Sequence, residues 1–122
     1  GYADGFMRLG LLYIDPEKFE LAVENLVTAT SLDKKDYFKF FNLAAAYNQL
    51  KQWENATSAA QSCVDLNQKF GGGWLEFGLA EMGRRNKTRA KKYFDEARKD
   101  RDWREMAERK IDEINNPGKY EK

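Results

Sequence analysis

The side chains most often used for catalysis are scarce in this sequence. It contains no histidine, which removes the commonest proton-transfer group at neutral pH and a frequent metal ligand. The single cysteine, Cys63, excludes an internal disulfide and, without histidine, the ordinary zinc sites. We expect Cys63 to be a packed thiol rather than a reactive one. The sequence therefore predicts a protein that is not an enzyme and that holds no metal ion and no cofactor.

One glycine run has the composition of a phosphate-binding loop. Gly71-Gly72-Gly73 would bring backbone N–H groups close to an anion. The run lacks the Gly-Lys-Ser/Thr ending of such loops, and it follows a helical pattern rather than a strand. We therefore interpret it as a flexible turn or as the loose first turn of a helix.

Basic residues are concentrated in the segment 84–99. This segment holds eight basic and two acidic residues, although the net charge of the chain is only +1. Such a segment can bind a polyanion, either nucleic acid or an anionic membrane. It also has the pattern of a solvated helix, with i,i+4 pairs such as Asp95 with Lys99. We favour the solvated helix, and nucleic-acid binding is not expected, because Tyr93 and Phe94 face the core by pattern. The eight basic residues are Arg84, Arg85, Lys87, Arg89, Lys91, Lys92, Arg98 and Lys99.

Length and composition indicate one folded domain, which we place at residues 1–116. The chain has 122 residues, of which 42% are apolar and 34% charged, enough for a continuous core. It has no apolar run of about 18 residues, so we expect no transmembrane helix. Its start, Gly1-Tyr2, has no signal-peptide pattern and looks like that of an excised piece. The compartment is left open: the cytoplasm is favoured and a bacterial periplasm is not excluded.

The sequence repeats itself with a period of 34 residues. Five columns align without a gap: an aromatic residue, a large apolar residue, a small residue beside it, and two further small residues. This period is typical of stacked helical hairpins, because each hairpin buries its apolar face only against its neighbours. The columns are Phe6, Phe40 and Trp74; Leu9, Leu43 and Phe77; Gly10, Ala44 and Gly78; Ala22, Ala56 and Ala90; and Ala29, Cys63 and Ala97.

Apolar residues recur at helical spacing, and no run alternates as a strand would. Asp36 and Asn86 are suited to cap helix starts, and Asp15-Pro16 to begin another. Gly83 is suited to the left-handed residue at a helix C-terminus. The pattern predicts helices at about 3–14, 17–31, 37–50, 53–67, 73–83 and 87–100.

A seventh predicted helix, at about 103–115, departs from the repeat. Asp102 and Glu105 resemble a capping box at its start. A narrow apolar stripe and an otherwise charged surface are typical of a helix that covers the last hairpin and faces water. We expect residues 117–122 to form a disordered tail. The stripe consists of Trp103, Ala107, Ile111 and Ile114.

The repeat resembles the tetratricopeptide repeat family, whose motif is an aromatic residue, Leu-Gly, Tyr, Ala, an aromatic residue and Ala. Three repeats in phase, at about 3–36, 37–70 and 71–104, cover most of the chain. The chain departs from the motif at Glu81, where Tyr is usual, and at Ala60, where an aromatic residue is usual. The resemblance implies an all-α fold, a right-handed solenoid of three helical hairpins with a C-terminal capping helix.

In that family the first helix of each hairpin lines a concave groove. The resemblance implies a scaffold or adaptor whose groove binds an apolar or amphipathic peptide or helix of a partner protein. Asn42 and Asn48 would hydrogen-bond the partner's backbone. Alternatively, the same apolar residues pack on the second helices or on a segment removed from the N-terminus. The apolar groove residues are Met7, Leu11, Phe38, Phe41, Leu75, Leu79 and Met82.

Chaperone-binding members of the family hold a partner's terminal carboxylate with Lys, Asn, Asn, Lys and Arg. Only Asn42 agrees with this clamp, and Glu76 would repel a carboxylate where Arg attracts it. We therefore expect no binding to acidic chaperone C-terminal tails. The matching positions are Met7, Leu11, Asn42, Gly72 and Glu76.

A third interpretation is that the chain is a self-association module. Residues 1–36 carry seven acidic and four basic residues, so an acidic end and a basic end could meet head to tail. The polar surface of the seventh helix argues against this arrangement. A weak homo-oligomer through Tyr2 and Phe6 stays open.

Overall fold

The computed structural model describes residues 16–119, and these form an all-α chain. Six helices follow one another through short connections, and no strand occurs within this range. The predicted first helix, 3–14, lies outside the described residues. The bounds of the other six agree with the predicted ones to within a few residues. They are α1 (Pro16–Leu32), α2 (Tyr37–Gln49), α3 (Trp53–Leu66), α4 (Gly71–Gly83), α5 (Lys87–Ala97) and α6 (Arg104–Asn115).

Each helix packs against the helix that follows it, and α2 also contacts α4. The pairs α2–α3 and α4–α5 are therefore two stacked hairpins, and α1 packs on the first of them. This succession confirms the predicted helical-repeat solenoid, in which every element buries its apolar face against its neighbours in sequence.

The two hairpins turn in the same way, with equivalent residues 34 positions apart. Leu50-Lys51-Gln52 follows α2, and Arg84-Arg85-Asn86 follows α4. The N–H of Gln52 donates to the carbonyl oxygen of Tyr47 at 2.9 Å, and that of Asn86 donates to Glu81 at 2.8 Å. The middle residues, Lys51 and Arg85, have φ angles of 60° and 64°. A left-handed residue followed by this bond satisfies the last carbonyl groups of the helix.

Gly83 does not supply the left-handed residue that the sequence predicted, since no described glycine has a positive φ. It is the last residue of α4, and its role is close packing. A Cβ atom at Gly83 would lie 2.2 Å from Cδ2 of Trp53. The left-handed position falls two residues later, at Arg85.

The predicted caps at Asp36 and Asn86 are confirmed. Oδ1 of Asp36 accepts from the N–H of Phe38 at 3.0 Å, and Oδ1 of Asn86 accepts from the N–H of Arg89 at 3.1 Å. Helix α6 begins at Arg104, and the side chain of Trp103, the residue before it, makes no capping hydrogen bond. The capping box at Asp102 stays a prediction.

Small residues allow the helices to approach closely, as their columns predicted. A Cβ atom at Gly78 would lie 2.4 Å from the ring of Phe94. The column residues Ala44, Ala56, Cys63, Ala90 and Ala97 are all fully buried. Two hydrophobic clusters result, one around Leu43, Val64 and Phe77 and the other around Phe41, Leu75, Phe94 and Trp103.

Helix α6 covers one end of the described solenoid. Ala107 is fully buried, and Ile111 and Ile114 pack half-buried against the second cluster. Pro117–Lys119, in the segment expected to be a disordered tail, forms a 3-10 helix. Nζ of Lys119 donates to Oδ2 of Asp112 at 3.0 Å, which ties this turn to α6. Residues 120–122 lie outside the described range.

Candidate functional site: the concave groove

The described groove residues lie on α2 and α4, which contact each other. Met7 and Leu11 lie outside the described residues. On α4 the spacing of i, i+4 and i+7 places the three predicted side chains on one helical face. The described residues are Phe38, Phe41, Asn42 and Asn48 on α2, and Leu75, Leu79 and Met82 on α4.

Phe41 and Leu75 form the floor of the groove rather than its surface. Their exposed fractions are 1% and 0%. The ring of Phe41 lies 5.1 Å from that of Phe70 and 5.7 Å from that of Trp103, both edge-on. The prediction that these two residues contact a partner is therefore corrected: they are core residues that support the groove.

Asn48 is also buried, with 7% of its surface exposed. Its Nδ2 donates to the backbone carbonyl oxygen and to Oε1 of Glu76, both at 3.0 Å. The predicted bond from Asn48 to a partner's backbone is thus replaced by a bond between α2 and α4. This bond accounts for part of the polar environment of the Glu76 carboxylate, which is fully buried.

Four predicted residues keep accessible surface above this floor. Phe38, Leu79 and Met82 are half-buried and pack on the cluster that contains Phe41 and Leu75. Asn42 is half-buried, and its buried Oδ1 accepts no hydrogen bond from the described residues. The accessible groove is therefore a small apolar surface with one amide beside it.

Trp103 is the groove-supporting residue that the sequence did not assign to this place. Its indole is 3% exposed and lies edge-on to Phe41 and Phe70, at 5.7 and 5.8 Å. The sequence pattern placed it on the stripe of the last helix, whereas the structure places it just before α6. The glycine run is the signal that marks its position, because only residues without side chains leave room for an indole there.

The glycine run is neither a flexible turn nor a loose one. Gly71, Gly72 and Gly73 are buried in the first turn of α4. A Cβ atom at Gly72 would lie 2.9 Å from Cζ2 of Trp103, and one at Gly73 would lie 2.7 Å from Sγ of Cys63. The interpretation of a loose turn is corrected, since close packing explains all three glycines.

The N-terminus of α4 already has a carboxylate partner. Oδ2 of Asp100 accepts from the N–H of Gly71 at 2.8 Å. The positive end of the helix dipole favours such an anion, so Asp100 acts as a cap supplied from the connection between α5 and α6. This contact fastens the connection to the start of α4.

The sequence model of the tetratricopeptide repeat family matches residues 3–36, which correspond to the first predicted repeat. The matched segment runs through α1, and the 34-residue equivalence of the two following hairpins continues it. The match and this equivalence support a tetratricopeptide repeat fold for the chain.

Two related tetratricopeptide proteins are both described as Hsp70-Hsp90 organising protein, from Plasmodium falciparum and from Plasmodium falciparum isolate 3D7. Each is 27% identical to this chain over 92 residues. The aligned region covers 75% of this chain but 36% and 16% of the two relatives. The chain therefore spans well under half the length of either one.

Two positions that match the carboxylate clamp of chaperone-binding tetratricopeptide proteins are closed in this chain. Gly72 lies against the rings of Phe70 and Trp103, and a Cβ atom there would be 2.6 Å from Cζ of Phe70. Glu76 is fully buried and accepts from Asn48. Neither position presents a positive charge to the groove.

The basic segment 84–99 comprises the turn after α4, helix α5 and the two residues that follow it, and it forms i,i+3 ion pairs. Arg98 lies 3.5 Å from Asp95, and Lys99 lies 3.0 Å from Glu96. The predicted i,i+4 pair between Asp95 and Lys99 is thus replaced by two pairs whose members are three residues apart in sequence. Both are solvent-exposed, so each contributes little to stability.

Cys63 is a packed thiol, as predicted. Burial, and after it the charge of Glu76, raises the pKa of Cys63 from 9.0 to about 12. A thiol with this pKa is not a nucleophile at neutral pH. Within the described part of the chain, no three His, Cys, Asp or Glu side chains are grouped to hold a metal ion. None of the helices from α1 to α6 is long and apolar enough to cross a membrane.

Proposed function

We propose that this tetratricopeptide domain is a non-enzymatic adaptor whose concave groove binds an apolar or amphipathic segment of a partner protein. The observation that carries the proposal is the accessible surface of Phe38, Leu79 and Met82 above a rigid aromatic floor. Helical segments bind such surfaces through apolar residues spaced three or four apart.

The close packing of the floor supports this function. Phe41 is held by edge-on contacts to Phe70 and Trp103, and Leu75 is fully buried beside them. A surface that is already ordered loses little conformational entropy when a partner binds, so more of the contact energy appears as affinity. Asn42 lies beside this surface as a half-buried amide, and its buried Oδ1 has no hydrogen-bond partner among the described residues.

The match to the tetratricopeptide repeat family supports the adaptor role, and the name of the relatives describes proteins that organise Hsp70 and Hsp90. We propose that this groove does not bind acidic chaperone C-terminal tails. Gly72 and Glu76 stand where the clamp requires Lys and Arg. Without these two cations, a bound carboxylate would lack charge-assisted hydrogen bonds that are each worth about 1.5–3 kcal/mol.

Affinity capture from a lysate of the source organism, followed by mass spectrometry, tests the groove. The bait variant is Leu79→Glu, which puts a charge on the accessible surface without opening the core. Leu66→Glu is the matched control, because Leu66 is 41% exposed on α3, away from the groove. Circular dichroism first establishes that both variants keep the helix content of the wild type.

We expect Leu79→Glu to lose proteins that both the wild type and Leu66→Glu retain. An apolar contact of this size is worth about 1.5–3 kcal/mol, so affinity falls by at least tenfold. Identical partners on all three baits would contradict the groove as the binding site.

A titration tests the exclusion of chaperone tails separately. The probe is a synthetic peptide with acidic residues and a free terminal carboxylate, and the control is the same peptide with a terminal amide. We expect no saturable binding of either peptide. A low-micromolar affinity that depends on the free carboxylate would overturn the exclusion.

A further inference from the structure

A second cavity lies on the other side of the second hairpin, between α3 and α5. It has a volume of about 500 Å³. Helix α3 contributes hydroxyl groups to one wall, α5 contributes a basic side chain to the other, and the end of α4 forms the floor. The polar lining residues include Thr57, Ser58, Ser62, Glu81, Arg84 and Arg89.

A buried carboxylate positions one of the two arginines. Glu81 is 1% exposed, and its Oε1 accepts from Nη1 of Arg84 at 3.0 Å. The guanidinium has five N–H donors in a fixed plane, so one bond to a buried carboxylate orients the others. The side chain of Arg84 is still 40% exposed, which leaves donors that face the cavity.

The preceding repeat has uncharged residues at the positions equivalent to these charged ones. One repeat earlier, the residues equivalent to Glu81, Arg84 and Arg89 are Tyr47, Leu50 and Asn55. Tyr47 and Asn55 line a smaller cavity of about 190 Å³, and the turn there has the same backbone bonds.

The charged group is therefore not required by the hairpin. A carboxylate as buried as Glu81 costs stability unless it is paired, and the pair itself is often no better than neutral packing. Neutral residues form the same turn in the preceding hairpin. The buried pair is therefore a candidate for a role other than folding.

The charges around this cavity favour an anion. The charge of Arg84 is matched by Glu81, whereas Arg89 forms no ion pair with any residue from 16 to 119. The cavity thus holds one net positive charge within a segment of eight basic and two acidic residues. Two guanidinium groups with hydroxyl donors are a suitable donor set for a carboxylate or a phosphate.

A protein segment fits this cavity better than a nucleic acid does. Only two arginines line it, whereas a nucleic-acid strand presents a long series of phosphates. The rings that line it are also unavailable to bases, because Phe77 is buried and stacks on Tyr93 at 3.9 Å.

We infer that the cavity between α3 and α5 is a second protein-binding site, in which Arg84 and Arg89 take an oxyanion-bearing side chain of a partner peptide. The site lies on a different face from the groove and does not depend on it.

Titration of the full ¹⁵N-labelled chain, followed by NMR, tests this inference. The probes are three eight-residue peptides that differ only in a central serine, phosphoserine or glutamate. We expect the phosphoserine or the glutamate peptide, or both, to shift amide signals of residues that line the cavity, and the serine peptide to leave them unchanged. The two charged peptides distinguish a phosphate from a carboxylate as the ligand. No saturable shift at the cavity with either one would overturn the inference.

Three variants locate the binding. Arg89→Asn installs the residue of the preceding repeat, and we expect it to weaken the charged peptide about tenfold or more. Lys92→Asn is the matched control, since Lys92 is an exposed base on the same helix outside the cavity, and we expect a change of about twofold at most. The third variant, Glu81→Tyr with Arg84→Leu and Arg89→Asn, removes the buried pair together and should fold without binding.

Two further outcomes decide against the site. Equal weakening by Arg89→Asn and Lys92→Asn would mean that only the general charge of α5 attracts the peptide. A single-stranded oligonucleotide that shifts the same signals at a lower concentration than either peptide would replace the inference with polyanion binding. Leu79→Glu should leave peptide binding unchanged, which separates this site from the groove.

Discussion

The glycine run at the start of α4 provides a test in which two physical effects have opposite signs. Alanine is about 1 kcal/mol more favourable than glycine within a helix, so a flexible first turn would be stabilised by Gly71→Ala. The packing predicts the reverse. A Cβ atom at Gly71 would lie 2.7 Å from the carbonyl oxygen of Ala97 and 2.7 Å from Cβ of Asp100.

These two contacts involve a backbone atom and the first atom of a side chain, so rotation of a side chain does not relieve them. Overpacking of this kind costs about 1–3 kcal/mol. Any movement of α4 that relieves these contacts would also strain the hydrogen bond from the N–H of Gly71 to Asp100. This charge-assisted bond is worth about 1.5–3 kcal/mol. After subtraction of the gain in helix propensity, we expect Gly71→Ala to destabilise the domain by about 1–3 kcal/mol.

Urea unfolding followed by circular dichroism measures this difference. Gly118→Ala is the matched control, because nothing lies within 4 Å of its Cβ position and its φ is not positive. Its stability should stay within about 0.5 kcal/mol of the wild type. A Gly71→Ala variant as stable as the wild type, or more stable, would refute the packing argument and restore the interpretation of a loose turn.

Three further predictions concern the packing, one turn and the thiol. Trp103→Ala removes a buried indole and should destabilise the domain by about 3–5 kcal/mol in urea unfolding, and a loss below 1 kcal/mol would contradict its role in the floor. Arg85→Gly relieves a left-handed φ of 64° and should stabilise it by about 0.5–1 kcal/mol, so a lower urea midpoint would count against the strain. Cys63, with its pKa raised to about 12, should resist iodoacetamide at pH 8 until the chain is unfolded. The pKa of Cys63 is higher in the folded chain than in the unfolded chain. Its contribution to stability is therefore fully present below pH 9.0 and is lost as the pH rises towards 12. Cys63→Ala should remove this pH dependence of the free energy of unfolding.

The helices and their order were predictable from the sequence, because they depend on local patterns. The 34-residue columns fix which small residues meet at helix crossings, and Ala56 and Ala90 are fully buried as expected. Asp36 and Asn86 cap helices because a side-chain oxygen at that position reaches N–H groups within the next turn.

The groove was predicted less well, because burial depends on contacts distant in sequence. Phe41 is covered by Trp103, which lies 62 positions later, and no periodicity within α2 reports that contact. Asn48 is bonded to Glu76 for the same reason. The family's column pattern assigns a residue to a helix face but not to a depth, so core and surface residues on one face look alike.

The charged cavity shows a further limit. Glu81 was visible in the sequence as a departure from the family's Tyr, yet its partner Arg84 was counted only as part of a basic segment. Their 3.0 Å contact depends on the turn after α4, whose left-handed residue the sequence analysis placed at Gly83 instead of Arg85. A misplaced turn of two residues was enough to hide the pair.

Site-specific photo-crosslinking tests the central claim, that the groove is where a partner binds. A photoreactive amino acid replaces Met82 in the groove or, as the control, Leu66 on α3, and each protein is irradiated in a lysate of the source organism. The account predicts a covalent adduct of defined mass from position 82 and none from position 66. Adducts from position 66 alone, or the same adducts from both positions, would contradict it.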